Sequence, residues 1–207
     1  MELWLVRHGL TDANQEGRLQ GQIDYPLNEE GRKQAFLLAE RCQGTRFAFC
    51  LSSPLLRTRQ TAQIIHEVAG CPPPLYTSLL LEYHWGIIQG MTKEQLKRCY
   101  PGLAARLDKD FHRTPIPGAE GLPRLFQRVK RFCQWLERLE QLQAPEKPVL
   151  VVSHGRFLHA LMLVIFPCDF QQSWPFPMDN ASLSVLEENF NGRTRLKLFN
   201  DCCHIKE

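Results

Sequence analysis

An excess of charge of one sign is missing from this sequence of 207 residues: 25 lysines and arginines face 22 aspartates and glutamates, a formal net charge of +3. That balance argues against nucleic acid or a membrane surface as the partner, and any positive charge that matters has to be local. Long apolar runs are missing too. None reaches the ~18 residues of a membrane span, and the stretch Met1 to Val6 meets Arg7 at once, without the basic segment and long apolar core of a secretory leader. Eight cysteines are present, but they are scattered, they form no C-x-x-C pair, and the adjacent Cys202 and Cys203 fit no disulfide framework. Reduced thiols and a cytoplasmic location are therefore expected. No cluster of side chains has metal-ligand spacing, so neither a metal nor another cofactor is expected.

The length suits one domain, residues 1–207, able to bury a sizeable core. Its organising stretch is Leu3-Trp4-Leu5-Val6-Arg7-His8-Gly9. The apolar run suits a strand buried on both faces, and Gly9 permits a sharp exit. Ligands collect at the carboxyl ends of strands in open α/β sheets, so Arg7 and His8 would stand there as a phosphate-matching fork and an imidazole. The same design returns later: Val149-Leu150-Val151-Val152 is the clearest buried strand, and Ser153-His154-Gly155 follows it.

Between these strands, Leu10 to Tyr25 reads as a long polar loop whose Thr11, Asn14, Arg18, Gln20, Gly21 and Gln22 offer donors to an anion. Asn28 caps a helix whose stripe is Ala35, Leu38, Ala39 and Cys42. Phe47 to Leu51 forms a second strand, after which Ser53 caps and Pro54 opens a helix running to Ala69 and stopping at Gly70. Its first turns carry Arg57, at an anion-favouring helix start, and Arg59, taken as solvated. Leu75 to Thr77 could be a short strand. Leu79-Leu80-Leu81 then delivers Glu82, suited to a general acid, with an ion-paired structural role as the plainer rival.

Thr92 and Gln95 match a capping box. Residues 92–117 interrupt the alternation of strands and helices and read as a helical flap, with Leu103, Leu107 and Phe111 at helical spacing and Arg106, Lys109 and Arg113 around them. A long helix is expected over Gly121 to Leu142, a buried helix over Arg156 to Phe166, and closing strands over Ser182 to Glu187 and Thr194 to Leu198, joined by a turn at Asn191-Gly192.

Five groups at strand ends, Arg7, His8, Arg57, Glu82 and His154, point to phosphoryl transfer. Two guanidiniums and a protonated imidazole can hold the phosphoryl oxygens, the other imidazole can attack phosphorus, and the carboxylic acid can protonate the leaving alkoxide.

These residues resemble the histidine phosphatase superfamily, also called phosphoglycerate mutase-like, over nearly the whole chain. Arg7-His8-Gly9 with Thr11 and Asn14 is similar to its RHG-x-T-x-x-N signature, and the runs Gly17 to Gln22 and Leu27 to Gly31 fit its continuation. Ser52-Ser53-Pro54 with Arg57, Thr58, Gln60 and Thr61 resembles the second signature. Glu82 with Gly86 and Gly90 resembles the acid loop, Pro117-Gly118 with Glu120 a structural turn, and Ser153-His154-Gly155 the second histidine.

The resemblance implies an α/β fold, a three-layer α/β/α sandwich with a mostly parallel central sheet, a helical flap and no metal. It implies His8 as nucleophile, Glu82 as proton donor, and phosphate contacts from Arg7, Arg57, His154, Asn14, Gln20, Gly21, Gln22 and Gly155. Three departures bear on substrate preference: Gln89 where glutamate is common, Ala119 and Gly121 in the turn, and Arg156 in place of a small residue.

The activity implied is metal-independent hydrolysis of small phosphomonoesters through a phosphohistidine, with α-ribazole phosphate or a broad substrate range as candidates, by a monomer or homodimer. The rival enzyme is a cofactor-dependent phosphoglycerate mutase, which the acid loop and Lys93 favour, whereas Tyr83 in place of arginine and the lack of an adjacent arginine pair in the flap oppose it. A non-catalytic phospholigand-binding protein is the alternative of another class. The remaining histidines are assigned to solvent or packing, with His84 and His112 as candidate exceptions.

Overall fold

A computed structural model describes residues 1–111, 114–143, 147–167, 175–188 and 194–205. In chain order the main elements are β1 (Glu2–Arg7), α1 (Asp12–Gln15), α2 (Glu29–Cys42), β2 (Phe49–Ser52), α3 (Leu56–Ala69), β3 (Pro74–Tyr76), α4 (Lys93–Cys99), α5 (Pro101–Lys109), α6 (Leu122–Gln143), β4 (Val149–Ser153), α7 (Gly155–Ile165), β5 (Leu183–Glu188) and β6 (Thr194–Asp201). The strands form one sheet in the order β3-β2-β4-β1-β5-β6. β3, β2, β4 and β1 run parallel, and β5 and β6 complete the sheet antiparallel.

Alternate residues of the central strands serve opposite faces, as the two-residue period of a strand requires. Leu3, Leu5, Val149 and Val151 pack with Leu125, Phe132, Phe157 and Leu161 of α6 and α7. Val6, Leu150 and Val152 pack with Leu38, Ala39, Ala62 and Ile65 of α2 and α3. The sheet is therefore the middle layer of an α/β/α sandwich. All five residues of β4 are buried, which explains its unbroken apolar sequence.

The pairing of β1 with β4 decides the site. Arg7 lies opposite Ser153 in register, so the residues leaving the two strands emerge side by side. The chain leaving β1 then passes tightly over the start of α2. A Cβ at Gly9 would stand 2.4 Å from the Gly31 carbonyl oxygen, and one at Gly31 would stand 2.0 Å from that of Leu10. Only glycine fits either place.

Several local expectations shift. The loop after β1 contains α1, closed by a reciprocal cap in which the Thr11 and Asn14 side chains each serve the other's backbone. α3 starts at Leu56 rather than Pro54: Asp24, from the loop between α1 and α2, accepts the Leu56 N–H, while the Ser53 Oγ accepts weakly from Leu55 N at 3.4 Å and lies 2.8 Å from His154 Nε2. Arg59 is exposed with its guanidinium over the ring of Tyr76, the last residue of β3, at the edge of the sheet. The Thr92–Gln95 capping box is present and starts α4. His112, Arg113 and the Asn191-Gly192 turn lie outside the described residues. Among the described residues no helix is long and apolar enough to cross a membrane, and the seven described cysteines are free thiols.

Candidate active site

A cavity of about 280 Å³ opens at the carboxyl edge of β1 and β4, and its lining includes Arg7, His8, Asn14, Gln20, Gly21, Arg57, Glu82, Gly155 and Arg156. His8 is buried, and its Nδ1 lies 2.7 Å from the Gly9 carbonyl oxygen. A carbonyl can only accept, so Nδ1 carries the proton and Nε2 keeps its lone pair. Burial, reinforced by the charges of Arg57 and Arg7, holds the His8 pKa well below the ordinary imidazole range. The ring is neutral at neutral pH, as a nucleophile must be.

His154 stands behind it, with ring centroids 5.2 Å apart. Its Nε2 is 2.8 Å from the Ser53 hydroxyl, and its buried Nδ1 has no partner. In the ligand-free site burial, then Arg57, His8 and Arg7, push its pKa well below the ordinary imidazole range, whereas the protonated ring expected from the sequence belongs to the phosphate-bound state.

The guanidiniums are fixed by backbone carbonyls. Arg57, 1% exposed, donates from Nη1 to Ile23 O at 2.9 Å and from Nη2 to Gly21 O at 2.7 Å, while its Nε has no partner. Burial lowers its pKa to about 10 against the opposing field of Glu82, so it stays charged. Arg7 donates to Met178 O, and its Nε is likewise buried without a partner. Its guanidinium lies 3.5 Å from where a Cβ at Gly155 would be. The Asn14 Oδ1 accepts from Thr11 N, Thr11 Oγ1 and Asn180 Nδ2, which leaves its Nδ2 as the donor toward an anion. Gln20 is buried with an unpartnered Oε1.

Glu82 follows a short 3₁₀ turn, and its carboxylate is seated on three backbone N–H groups: Tyr83 at 2.8 Å, and Phe157 and Arg156 at 3.2 Å each. The last two belong to the first turn of α7, where orphan donors and the helix dipole favour a carboxylate. The loop behind Glu82 is held by Arg128, which donates to Leu79 O and Leu81 O at 3.0 and 2.6 Å and makes a two-pronged pair with Glu120.

Gln22 lies outside the cavity lining: its side chain donates to Glu82 O at 2.9 Å, and its backbone N–H goes to Gln89 Oε1 at 2.8 Å. It joins the two loops rather than facing the ligand space. His84 also turns to that junction, accepting from Gly86 N at 3.0 Å. Tyr83 lines a separate cavity of about 330 Å³ beside Phe111 and Ile116. Arg128, Met178 and Asn180 support the site without having been expected to, and Ser53, expected as a helix cap, instead meets His154. Of the first three only Arg128 carried a sequence signal, as a charge on the apolar stripe of α6 next to Leu125 and Val129.

Both buried histidines bear on stability. In the unfolded chain an imidazole binds its proton near 6.5, but in the folded protein only at lower pH. Between those values the unfolded state holds more protons, so stability is full above the unfolded value and is lost as pH falls through the folded values. The unfolding free energy of ligand-free protein, measured by denaturant titration, should rise from about pH 5 to about pH 7 by up to about 1.4 kcal/mol per pH unit for each histidine. Inorganic phosphate should flatten that rise. A slope of opposite sign would mean that the empty site holds an imidazolium.

Guanidinium and amide donors grouped around an unprotonated ring nitrogen, at the edge of a parallel sheet, make a site for a phosphoryl group held by its oxygens and approached at phosphorus. The chain belongs to the Histidine phosphatase superfamily (branch 1), whose pattern it matches over residues 3–202. It is 33% identical over 207 residues to phosphoserine phosphatase 1 of Hydrogenobacter thermophilus, covering 100% of this chain and 95% of that one. It is 32% identical to a Salmonella choleraesuis protein named as a phosphoglycerate mutase, over 90% of this chain and 85% of that one. The structure is similar to that of the α-ribazole phosphatase from Shigella flexneri, with a TM-score of 0.86, 26% identity, and coverage of 98% and 97%.

Proposed function

We propose that this chain hydrolyses small-molecule phosphomonoesters in two steps at His8. In the first, His8 Nε2 attacks phosphorus, the ester P–O bond breaks, and Glu82 gives its proton to the departing alkoxide. In the second, the ionised Glu82 takes a proton from water as that water attacks phosphorus, and phosphate leaves with the N–P bond's electrons returning to His8. Arg7, Arg57 and Asn14 hold the phosphoryl oxygens, and a proton arriving on His154 with the substrate adds a further donor at Nδ1. The observation that carries this reading is the His8 tautomer, fixed by Gly9 so that Nε2 is the basic nitrogen.

The named relatives add phosphoserine to the candidates and keep α-ribazole phosphate among them, and the free thiols of the described residues are compatible with a cytoplasmic protein. A mutase must shield its phosphohistidine from water and hold a carboxylated acid in two orientations. Support for that here is thin: Tyr83 faces another cavity, and the flap residues Arg106 and Lys109 are exposed. The test supplies 3-phosphoglycerate with a trace of 2,3-bisphosphoglycerate, then p-nitrophenyl phosphate, with and without a chelator. Phosphate release is expected to exceed 2-phosphoglycerate formation and to survive the chelator. Rapid isomerisation with negligible phosphate from either compound would overturn the proposal.

A further inference from the structure

The turn that leads into β5 is held in a conformation its sequence does not favour. Asp179 to Ser182 close it, with the Ser182 N–H donating to the Asp179 carbonyl at 3.1 Å. Ala181 takes the third position at φ 52° and is fully buried. Turns with a positive φ there usually place glycine or asparagine at that position. An alanine in it is strained, and such strain persists only where the surroundings over-determine the backbone. The methyl belongs to the core beside Val6, Leu183 and Val185.

The strained turn braces the end of β1. The Ala181 N–H donates to the carbonyls of Arg7 and His8 at 3.1 Å each. Asn180 Nδ2 donates to His8 O at 3.0 Å and to Gly9 O at 3.3 Å. Gly9 O is the carbonyl that keeps the proton on His8 Nδ1. Just before the turn, the Met178 carbonyl accepts from the Arg7 guanidinium. The nucleophile's orientation, its tautomer and one phosphate contact therefore depend on residues 178–182.

That turn is gripped in its own right by side chains outside the cavity lining. His204 stands in the 3₁₀ turn Cys203–Ile205 after β6, with its Nδ1 3.3 Å from Arg41 Nη1. A guanidinium can only donate, so Nδ1 accepts and the ring proton sits on Nε2. From there it is donated to Ala181 O at 2.9 Å. Arg41 also pairs with Asp201, whose other oxygen accepts the Cys203 N–H at 2.8 Å. Asn200 holds the start of the turn: its Oδ1 accepts the Asp179 N–H at 2.7 Å and its Nδ2 donates to Asp179 Oδ2 at 2.8 Å.

We propose that His204 is a positioning residue: with Arg41, Asp201 and Asn200 it keeps Ala181 in its strained turn, and through that turn it sets the orientation of His8 and the seat of Arg7. Its effect on rate rests on the phosphatase reading above.

His204→Ala should lower kcat for p-nitrophenyl phosphate roughly ten-fold, and His204→Gln, whose amide can meet the same carbonyl, should keep more of it. A double-mutant cycle separates positioning from general support. Glycine adopts the turn without strain, so in the Ala181→Gly background His204→Ala should cost about two-fold or less. The lost methyl cancels in that comparison. Equal losses in both backgrounds would make His204 a structural residue only and overturn the proposal, as would a His204→Ala kcat within about two-fold of wild type. Should His204→Ala not fold, Arg41→Gln loosens the same ring and enters the same cycle. Nitrogen-15 spectra of histidine-labelled protein read the site without turnover. His8 should show a protonated Nδ1 in wild type, a mixture of tautomers in His204→Ala, and the wild-type signal again when Ala181→Gly is added. If wild type releases no phosphate from any phosphomonoester, the phosphatase reading fails and the His8 signal alone decides: a change in His204→Ala upholds the positioning role, and no change ends it.

Discussion

Protein carrying His8→Ala is expected to lose roughly ten-thousand-fold or more in kcat and to retain no acid-labile, base-stable phosphoryl group when quenched during turnover of labelled substrate. The expectation follows from the two ring environments. In His8 the Nδ1–H is spent on the Gly9 carbonyl, and the basic nitrogen belongs to a residue on the cavity wall. In His154 the nitrogen nearest a partner is engaged with Ser53, and the ring is fully buried behind its neighbour. His154→Ala should therefore slow the reaction while leaving the label on His8. The two variants make opposite statements about one observable, which guards against misfolding as the explanation of a lost rate. Label that persists in His8→Ala and vanishes in His154→Ala would move the nucleophile to the second ring.

Much of this arrangement was legible because buried parallel strands need unbroken apolar runs and end abruptly in functional residues. Leu3 to Val6 and Val149 to Val152 could be read on those grounds, together with the His-Gly that follows each. That β1 and β4 are neighbours could not be read, since parallel register is set by layers of distant side chains rather than by local pattern. The supports from Met178 and Asn180 left no trace for a similar reason: the Met178 carbonyl and the Asn180 amide, which reaches His8 O, Gly9 O and Asn14 Oδ1, come from a segment with no periodicity. Arg128 was readable in principle, because a guanidinium between Leu125 and Val129 on an apolar stripe must find buried acceptors. The lowered proton affinity of His154 in the ligand-free site left no local signal, because it comes from burial first and then from Arg57, His8 and Arg7 converging from separate elements. Gln22 shows the limit of motif transfer: its place in the sequence pattern is kept, while its amide serves the Glu82 loop.

Arg57→Lys is expected to lower kcat/KM by roughly a thousand-fold, although the charge is retained. The guanidinium does two jobs at once. Two of its donors hold the Gly21 and Ile23 carbonyls, which fixes the loop carrying Gln20 and Gly21 against the cavity, and its buried Nε is left to pair with a ligand. An ammonium has no planar fork and cannot satisfy both carbonyls while also meeting a phosphoryl oxygen. A carbonyl left without its donor costs about 1–3 kcal/mol when buried, so thermal unfolding should also begin at lower temperature. Loss of stability and loss of ligand grip are separable by measuring the rise in Tm produced by inorganic phosphate or vanadate. Wild type should show a rise that grows with anion concentration, as selective binding to the folded state requires, and Arg57→Lys should show almost none at temperatures where it is still folded. A lysine variant with wild-type kcat/KM and a full anion-induced rise in Tm would mean that Arg57 only braces the loop, and the phosphoryl grip would then have to be reassigned to Arg7 and Asn14.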